Sequence, residues 1–535
     1  MDFKSFMTSV EENLSCVKSE KDLRDWIKNY ARSIPEEERE NFLSYFQKPK
    51  SRSHKAKLQE ILDWCEKVNG EEIVLSCSSH EEYDSEYWTW DPDWVTEYED
   101  PGGIGLRLKE YYAEAEQAVY DGDCDSASSM YWNLGVLNIT AEDEDGMDPV
   151  ELGVEEMVSE DLVSLDLEKI AALTLYSTYQ VYELEERVPR LYGFFSWGMF
   201  GNIGIEDMLS AGREPLEDVD EFLEAWIAYL REQNDKYTSR LLIEAVTFQC
   251  GDKGLLEEAK RTANSHPALY IKVLEKFFEK EDWAQLKDTG MEALHFMNRN
   301  MTIRDRAARL AAAGAAHIGD YAGEREALIE AFYSKATAAN YFRVLTCLYR
   351  SDSEETAAYF QPQSDRLEIR FLAGDYRSVW DECRKTKVSL GWSGAFIEEG
   401  VPMLLVLLHR GDITGSAMQA VVSDMKRVIG YEEEYEELNF AERFAVWKKS
   451  VPVTMTQNEE KALLKYLTET IDKRIEAIVG GSHRGSYYKA AKLGSALGEV
   501  EESLGKKGGK AARVQKYLAQ FPRHRAFKKE IGEFR

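Results

Sequence analysis

Apolar residues recur along most of the chain at helical spacing, and short polar joints separate one such run from the next. The pattern is clearest after residue 105, where Leu106, Leu108, Tyr111, Tyr112, Ala115 and Val119 form one face. The chain then meets Asp121, Gly122 and Asp123 before Ala127, Met130, Tyr131, Leu134 and Leu137 form the next. A Gly-Asp pair stands between apolar runs again at Gly319-Asp320, Gly374-Asp375 and Gly411-Asp412. Glycine can close a helix in the left-handed conformation, and aspartate can accept the free amide hydrogens that open another. Each pair therefore predicts a turn between antiparallel helices. Further helices are expected over 167–186, 215–233, 238–249, 255–263, 267–280 and 283–297, and later over 459–479, 487–504, 511–519 and 525–534. The expected fold is all-α, an irregular alpha-solenoid of antiparallel helix pairs.

Five stretches organise the chain: an N-terminal helical unit over 1–70, an acidic-aromatic linker or packed loop over 71–104, a helical repeat block with acidic and Gly/aromatic insertions over 105–213, a central helical solenoid over 214–430, and a C-terminal helical region with a basic end over 431–535. Between Glu81 and Asp100 there are nine acidic residues and no basic one, interleaved with Tyr83, Tyr87, Trp88, Trp90, Trp94 and Tyr98. This composition fits a loop packed back on helices, or a segment that docks on a basic partner. The glycine-aromatic stretch 191–212 fits a buried joint or a ligand-contacting insertion. A second acidic run, 431–437, opens the C-terminal region.

Composition adds charge to this picture. The 535 residues include 98 Asp or Glu against 66 Lys or Arg, a formal net charge of -32. Such a field repels nucleic acid and anionic membrane at long range. The most apolar stretch, 401–408, is too short to span a bilayer, and residues 1–9 carry no secretory or transit pattern, so a cytoplasmic protein without membrane contact is expected. Seven scattered cysteines point to reduced, mostly buried thiols. The end reverses the charge: from Gly481 to Arg535 there are thirteen Lys or Arg and five Asp or Glu.

Two resemblances follow from these residues. The stretch His483-Arg484-Gly485-Ser486-Tyr487-Tyr488-Lys489-Ala490-Ala491, with residues 513–518 and Phe521-Pro522-Arg523-His524-Arg525-Ala526-Phe527, resembles the helical region after the zinc motif in bacterial SWIM-type zinc-finger proteins. It covers the last 55 residues. The Cys-x-Cys and Cys-x-His pairs of that family are absent; the nearest group, Cys65, Cys77 and His80, has neither the spacing nor a fourth ligand, so no metal ligand is carried over. The Gly-Asp turns look like those of tetratricopeptide-like proteins, which commonly hold peptides or other proteins. Their spacing is uneven, 55 residues from Gly319 to Gly374 and 37 from Gly374 to Gly411, and the full repeat consensus is missing.

The sequence therefore reads as a noncatalytic helical-repeat scaffold or adaptor for a protein or peptide, with Tyr321, Tyr376, Trp380 and Trp392 as candidate protein-binding residues. The alternative is a nucleic-acid-associated regulatory protein using Arg484, Tyr487, Tyr488, Lys506, Lys507, Lys510, Arg523 and Arg525. An enzyme whose site is assembled from distant residues is the lesser alternative. No catalytic set, metal or cofactor is assigned, since the glycines at 201–204 and 505–509 complete no phosphate-binding fingerprint. The oligomeric state is left open.

Overall fold

The computed structural model describes residues 3–17, 19–36, 39–44, 46, 53–82, 93–143, 148–350, 364–436 and 438–534. The chain forms two compact units, Met1–Glu258 and Ala259–Arg535. Both are largely α-helical, with helices packed on their chain neighbours in an irregular series, as an irregular alpha-solenoid requires. Among the described residues, no helix is long and apolar enough to cross a membrane.

In the first unit the helix Lys55–Asn69 buries Ile61, Trp64, Cys65 and Val68. It leads into a feature that the linker-or-loop reading of 71–104 did not contain. Strands β1 (Leu75–Glu82), β2 (Asp93–Glu99), β3 (Ile139–Asp143) and β4 (Val150–Leu152) form one sheet in the order β2-β1-β3-β4. β1 runs antiparallel to β2 and parallel to β3, and the helices Ile104–Tyr120 and Cys124–Gly135 lie between β2 and β3 in the chain. The strands are hard to read because, among the described side chains of β1, only Leu75 and Cys77 are buried, among serines such as Ser76, Ser78 and Ser79. Tyr83, Tyr87, Trp88 and Trp90 lie outside the described residues.

Most aromatic side chains of the glycine-aromatic stretch belong to the core: Tyr192, Phe194, Phe195 and Phe200 are buried, and Trp197 is half-buried. Phe194 stacks on Phe200 at 5.3 Å, Trp197 meets Trp132 at 5.5 Å, and Phe195 lies 6.2 Å from Trp226. The helix Ile205–Ala211 that follows takes its amino-terminal partner from elsewhere: the Ile205 amide donates to Glu244 on the helix Thr238–Arg261. Gly204 makes this approach possible, since a Cβ there would lie 2.1 Å from a Glu244 oxygen. The same long helix is interrupted at Gly251, whose φ of 66° and ψ of -168° separate the two helical runs expected from the sequence.

The Gly-Asp turns form as the sequence implies in three cases and differently in the fourth. Gly122, Gly319, Gly374 and Gly411 all have left-handed φ, between 69° and 85°. Asp123, Asp320 and Asp375 cap the next helix by accepting from the amides of Ser126, Gly323 and Ser378 at 3.3, 3.0 and 3.1 Å. Asp412 caps nothing, because the next helix, Ser416–Val428, starts later and receives its cap from Glu499, which accepts from the Ala417 and Met418 amides. The same turn also occurs without glycine: Glu281 takes φ 55° and Asp282 accepts from the Gln285 amide at 3.3 Å. A left-handed conformation costs an L-residue about 1–2 kcal/mol, offset in part by the entropy a glycine loses on folding. Glu281→Gly should therefore be neutral or stabilising by up to about 1 kcal/mol, whereas Gly319→Ala should cost about 1 kcal/mol. Paired thermal melts of the two variants check this, and a destabilised Glu281→Gly would show that the Glu281 side chain makes a contribution of its own.

Candidate functional site

In the second unit, three alternate helices direct side chains to one short segment of the same chain. They are Ala268–Glu279, Arg304–His317 and Ala338–Arg350, and the segment is the acidic run, described over 431–436. Arg306 Nε donates to the Tyr435 hydroxyl at 2.7 Å, and Phe278 meets the Tyr435 ring edge-on at 5.5 Å. Arg309 pairs with Glu434 at 2.8 Å. Arg343 pairs with Glu436, donates to the Glu432 carbonyl at 2.7 Å, and lies 4.4 Å from the centre of the Tyr431 ring. Phe342 meets the same ring at 5.6 Å in a T-shaped arrangement.

This segment, residues 431–436, forms a strap that is fixed at both ends. Before it, the helix Ser416–Val428 ends at Gly430 with φ 64°, and the Tyr431 amide returns to the Lys426 carbonyl at 2.9 Å. After it, Asn439 and Glu442 form a reciprocal capping box at the start of the helix Phe440–Ser450. Glu433 accepts from the Phe440 amide at 2.8 Å, and this bond, with the Lys426 charge, lowers its pKa.

The electrostatics differ from those of a surface contact. The Arg343 and Glu436 side chains are both almost fully enclosed. Burial acts to raise the Glu436 pKa, but the Arg343 charge and hydrogen bond overcome it, so the carboxyl stays below its ordinary value. A buried charge pair of this kind is costly to open from one side, because the remaining charge has no water to replace its partner.

The sequence reading missed Arg306, Arg309 and Arg343. Arg306 and Arg309 stand in a cluster of arginines on an alanine-rich helix, Arg343 stands apart on another, and Glu436 and Tyr435, which Arg343 and Arg306 meet, lie 93 and 129 residues further on.

The aromatic residues singled out from sequence do not form one surface. Tyr321 is 55% exposed, with Arg350 5.9 Å from its ring centre. Trp380 is partly buried between Tyr466, at 5.9 Å, and Arg384, at 4.5 Å. Tyr376 and Trp392 are only 2% and 3% exposed, so both belong to the core and neither is available to a partner. Tyr376 begins the helix Tyr376–Cys383 with its ring turned inward, and Trp392 is covered by the Arg474 guanidinium at 4.9 Å.

The basic residues of the tail also separate. Arg484, Tyr487 and Tyr488 stand at the start of the helix Tyr487–Ser503, and His524, between Arg523 and Arg525, returns to within 6.3 Å of the Tyr487 ring. Lys506, Lys507 and Lys510 lie beyond the other end of that helix, about 25 Å away at 1.5 Å per residue. Tyr487 is buried while Tyr488 is exposed. Lys506 pairs with Glu501 at 2.9 Å and Lys510 with Glu499 at 2.7 Å, and Lys489, Lys492, Arg513 and Lys516 also meet carboxylates of the same chain. Among the described residues, Arg484, Lys507, Arg523 and Arg525 have no such pair. Much of the basic end thus complements acidic surface within its own unit.

Cys65 and Cys77 are buried, on a helix and on β1, and His80 is exposed on β1. Burial pushes the Cys65 thiol up to about 11, which disfavours the thiolate that metal binding needs. Among the described residues no group of three or more His, Cys, Asp or Glu could hold a metal ion. No model of a known protein family matches the chain, and no curated protein matches it.

Proposed function

We propose that this protein is a noncatalytic helical-repeat adaptor whose second unit receives an acidic, aromatic segment of a partner protein. The observation that carries this reading is the strap itself. A non-helical segment with two tyrosines and several glutamates lies against three alternate helices, held by Arg306, Arg309 and Arg343. A surface that binds such a segment in cis has the chemistry to bind one in trans: guanidinium forks for carboxylates and aromatic faces for tyrosine rings. The helical-repeat architecture supports the same reading, since stacked helix pairs leave one face free for a ligand.

The test uses the full chain and a labelled peptide of residues 430–438. Tyr435→Ala loosens the internal strap without opening the buried Arg343–Glu436 pair. Fluorescence anisotropy should then show the peptide binding to Tyr435→Ala more tightly than to the unaltered chain. Adding Arg306→Ala and Arg309→Ala should weaken that binding at least tenfold, and salt should weaken it further, because these charges are partly exposed. Peptide that ignores the loosened chain, or binds equally well without the two arginines, would count against the reading.

A further inference from the structure

The second unit also contains a cavity of about 1170 Å³, large enough for a drug-sized molecule. Its walls come from the end of the helix Ile397–Leu408, the turn through His409 and Gly411, and the helices Ser416–Val428 and Phe440–Ser450. The last helix explains why space remains. Phe440, Phe444 and Trp447 fill the core, while Ala441 and Ala445 place only methyl groups beside the cavity, one turn apart and in line with Lys448.

Two polar groups in this wall are incompletely partnered among the described residues. Lys448 has no ion pair among the described residues, and burial pulls its pKa down to about 8. His409 is 7% exposed, yet its Nδ1 has no hydrogen-bond partner among the described residues. Burial and the nearby Lys448 charge hold the His409 pKa below its ordinary value, with Glu499 and a hydrogen bond to the Gly411 backbone acting in the opposite direction. The other charged groups around the cavity are largely compensated: Lys426 pairs with Glu433 at 3.2 Å and Arg410 pairs with Glu460, leaving Asp412 and Lys449 exposed. An ammonium without an ion pair and an imidazole with one unpartnered nitrogen beside apolar wall are costly in an acidic protein with so many carboxylates to spare.

We infer that this cavity binds an amphipathic organic anion, an apolar body carrying one carboxylate, whose head lies between Lys448 and His409. The carboxylate accepts from the Lys448 ammonium and from His409, and the apolar body lies against Phe440, Phe444, Val453 and Met455. The cavity borders the strap at Lys426, Glu433, Asn439 and Phe440, but neither Lys448 nor His409 touches the strap, and Arg306, Arg309 and Arg343 do not line the cavity, so either reading can fail alone.

Binding also sets a pH dependence. The anion favours protonated Lys448, so the bound complex holds a proton that the free site loses above its own pKa. Affinity should be nearly level just below pH 8 and fall by about tenfold per pH unit above it, until the raised pKa of the complex is reached. Protonation of His409 at lower pH adds a further attractive charge.

The probe is dodecanoate below its micelle concentration, with dodecanol as the uncharged control, titrated calorimetrically into the full chain. Dodecanoate should bind at least tenfold more tightly than dodecanol at pH 7, and the difference should shrink at pH 9.5. Lys448→Met, which keeps the apolar stem, should weaken dodecanoate at least tenfold and leave dodecanol unchanged, while Lys448→Arg should restore affinity and flatten the alkaline fall. Equal binding of acid and alcohol, no binding of dodecanoate, or an unaltered affinity in Lys448→Met would overturn the assignment. If Lys448→Met loses its cooperative melting transition, the titration of the unaltered chain from pH 7 to 9.5 decides alone: a level affinity for dodecanoate overturns it.

Discussion

Trp447→Ala should destabilise the second unit by about 3–5 kcal/mol, the usual cost of removing a large aromatic side chain from a closed core. Trp447 is 0% exposed and lies 5.0 Å from the Phe371 ring and 5.2 Å from that of Phe444. Its indole Nε1 donates to the Leu372 carbonyl at 2.8 Å, the last residue of the short helix Leu367–Leu372. That carbonyl has no successor within its own helix, so the tryptophan joins two elements while satisfying a helix end. Trp447→Phe keeps most of the apolar volume but leaves the carbonyl unpaired, and should cost about 1–3 kcal/mol. Urea unfolding followed by far-UV circular dichroism separates the two variants. Equal losses would mean that the hydrogen bond, and not the packing, dominates.

Glu244→Gln should stabilise the first unit by about 3 kcal/mol at pH 8 and change little at pH 5. Burial raises the Glu244 pKa from 4.5 to about 7, against the opposing effects of the Ile205 amide and Arg240. A carboxyl raised in this way holds its proton more tightly in the folded state, so its contribution to stability is intact below pH 4.5 and is lost as pH rises to about 7. Above that, the folded chain carries a poorly solvated charge whose Oε2 has no hydrogen-bond partner. Glutamine preserves an acceptor for the Ile205 amide and removes the charge. Denaturation midpoints of both chains across pH 5 to 8 test this, and a constant difference over that range would show that Glu244 is not the group that titrates.

The scaffold was legible where backbone chemistry is local. Asp123, Asp320 and Asp375 lie one residue after a glycine that can turn left-handed, and a reader of the sequence can infer both halves of that turn. Glu281 makes the same turn with no such signal, which is why the repeat looks more irregular in sequence than it is in space. The strands were hidden because β1 buries only alternate small or apolar positions amid serines, and because its neighbour β3 lies beyond two intervening helices.

Functional residues were harder, since exposure is a property of packing and not of residue type. Trp392 and Tyr376 have the composition of binding residues and the environment of core residues. The strap was visible as an acidic run, but the arginines that receive it were not, because helix periodicity says nothing about contacts 93 or 129 residues apart. His409 and Lys448 gave no sequence signal at all, being ordinary residues whose significance comes from what the fold fails to place beside them.

The strap has a consequence for competition. Because residues 431–436 are tethered by ordered turns to the helices Ser416–Val428 and Phe440–Ser450 on either side, they are present at the arginines at an effective concentration that no dilution changes, on the order of millimolar for a short tether. A partner segment of equal intrinsic affinity would therefore need millimolar concentration to occupy half the sites. One with further contacts outside the groove would not, so the tether converts a generic preference for acidic tyrosine-bearing peptides into a threshold that rewards extended partners.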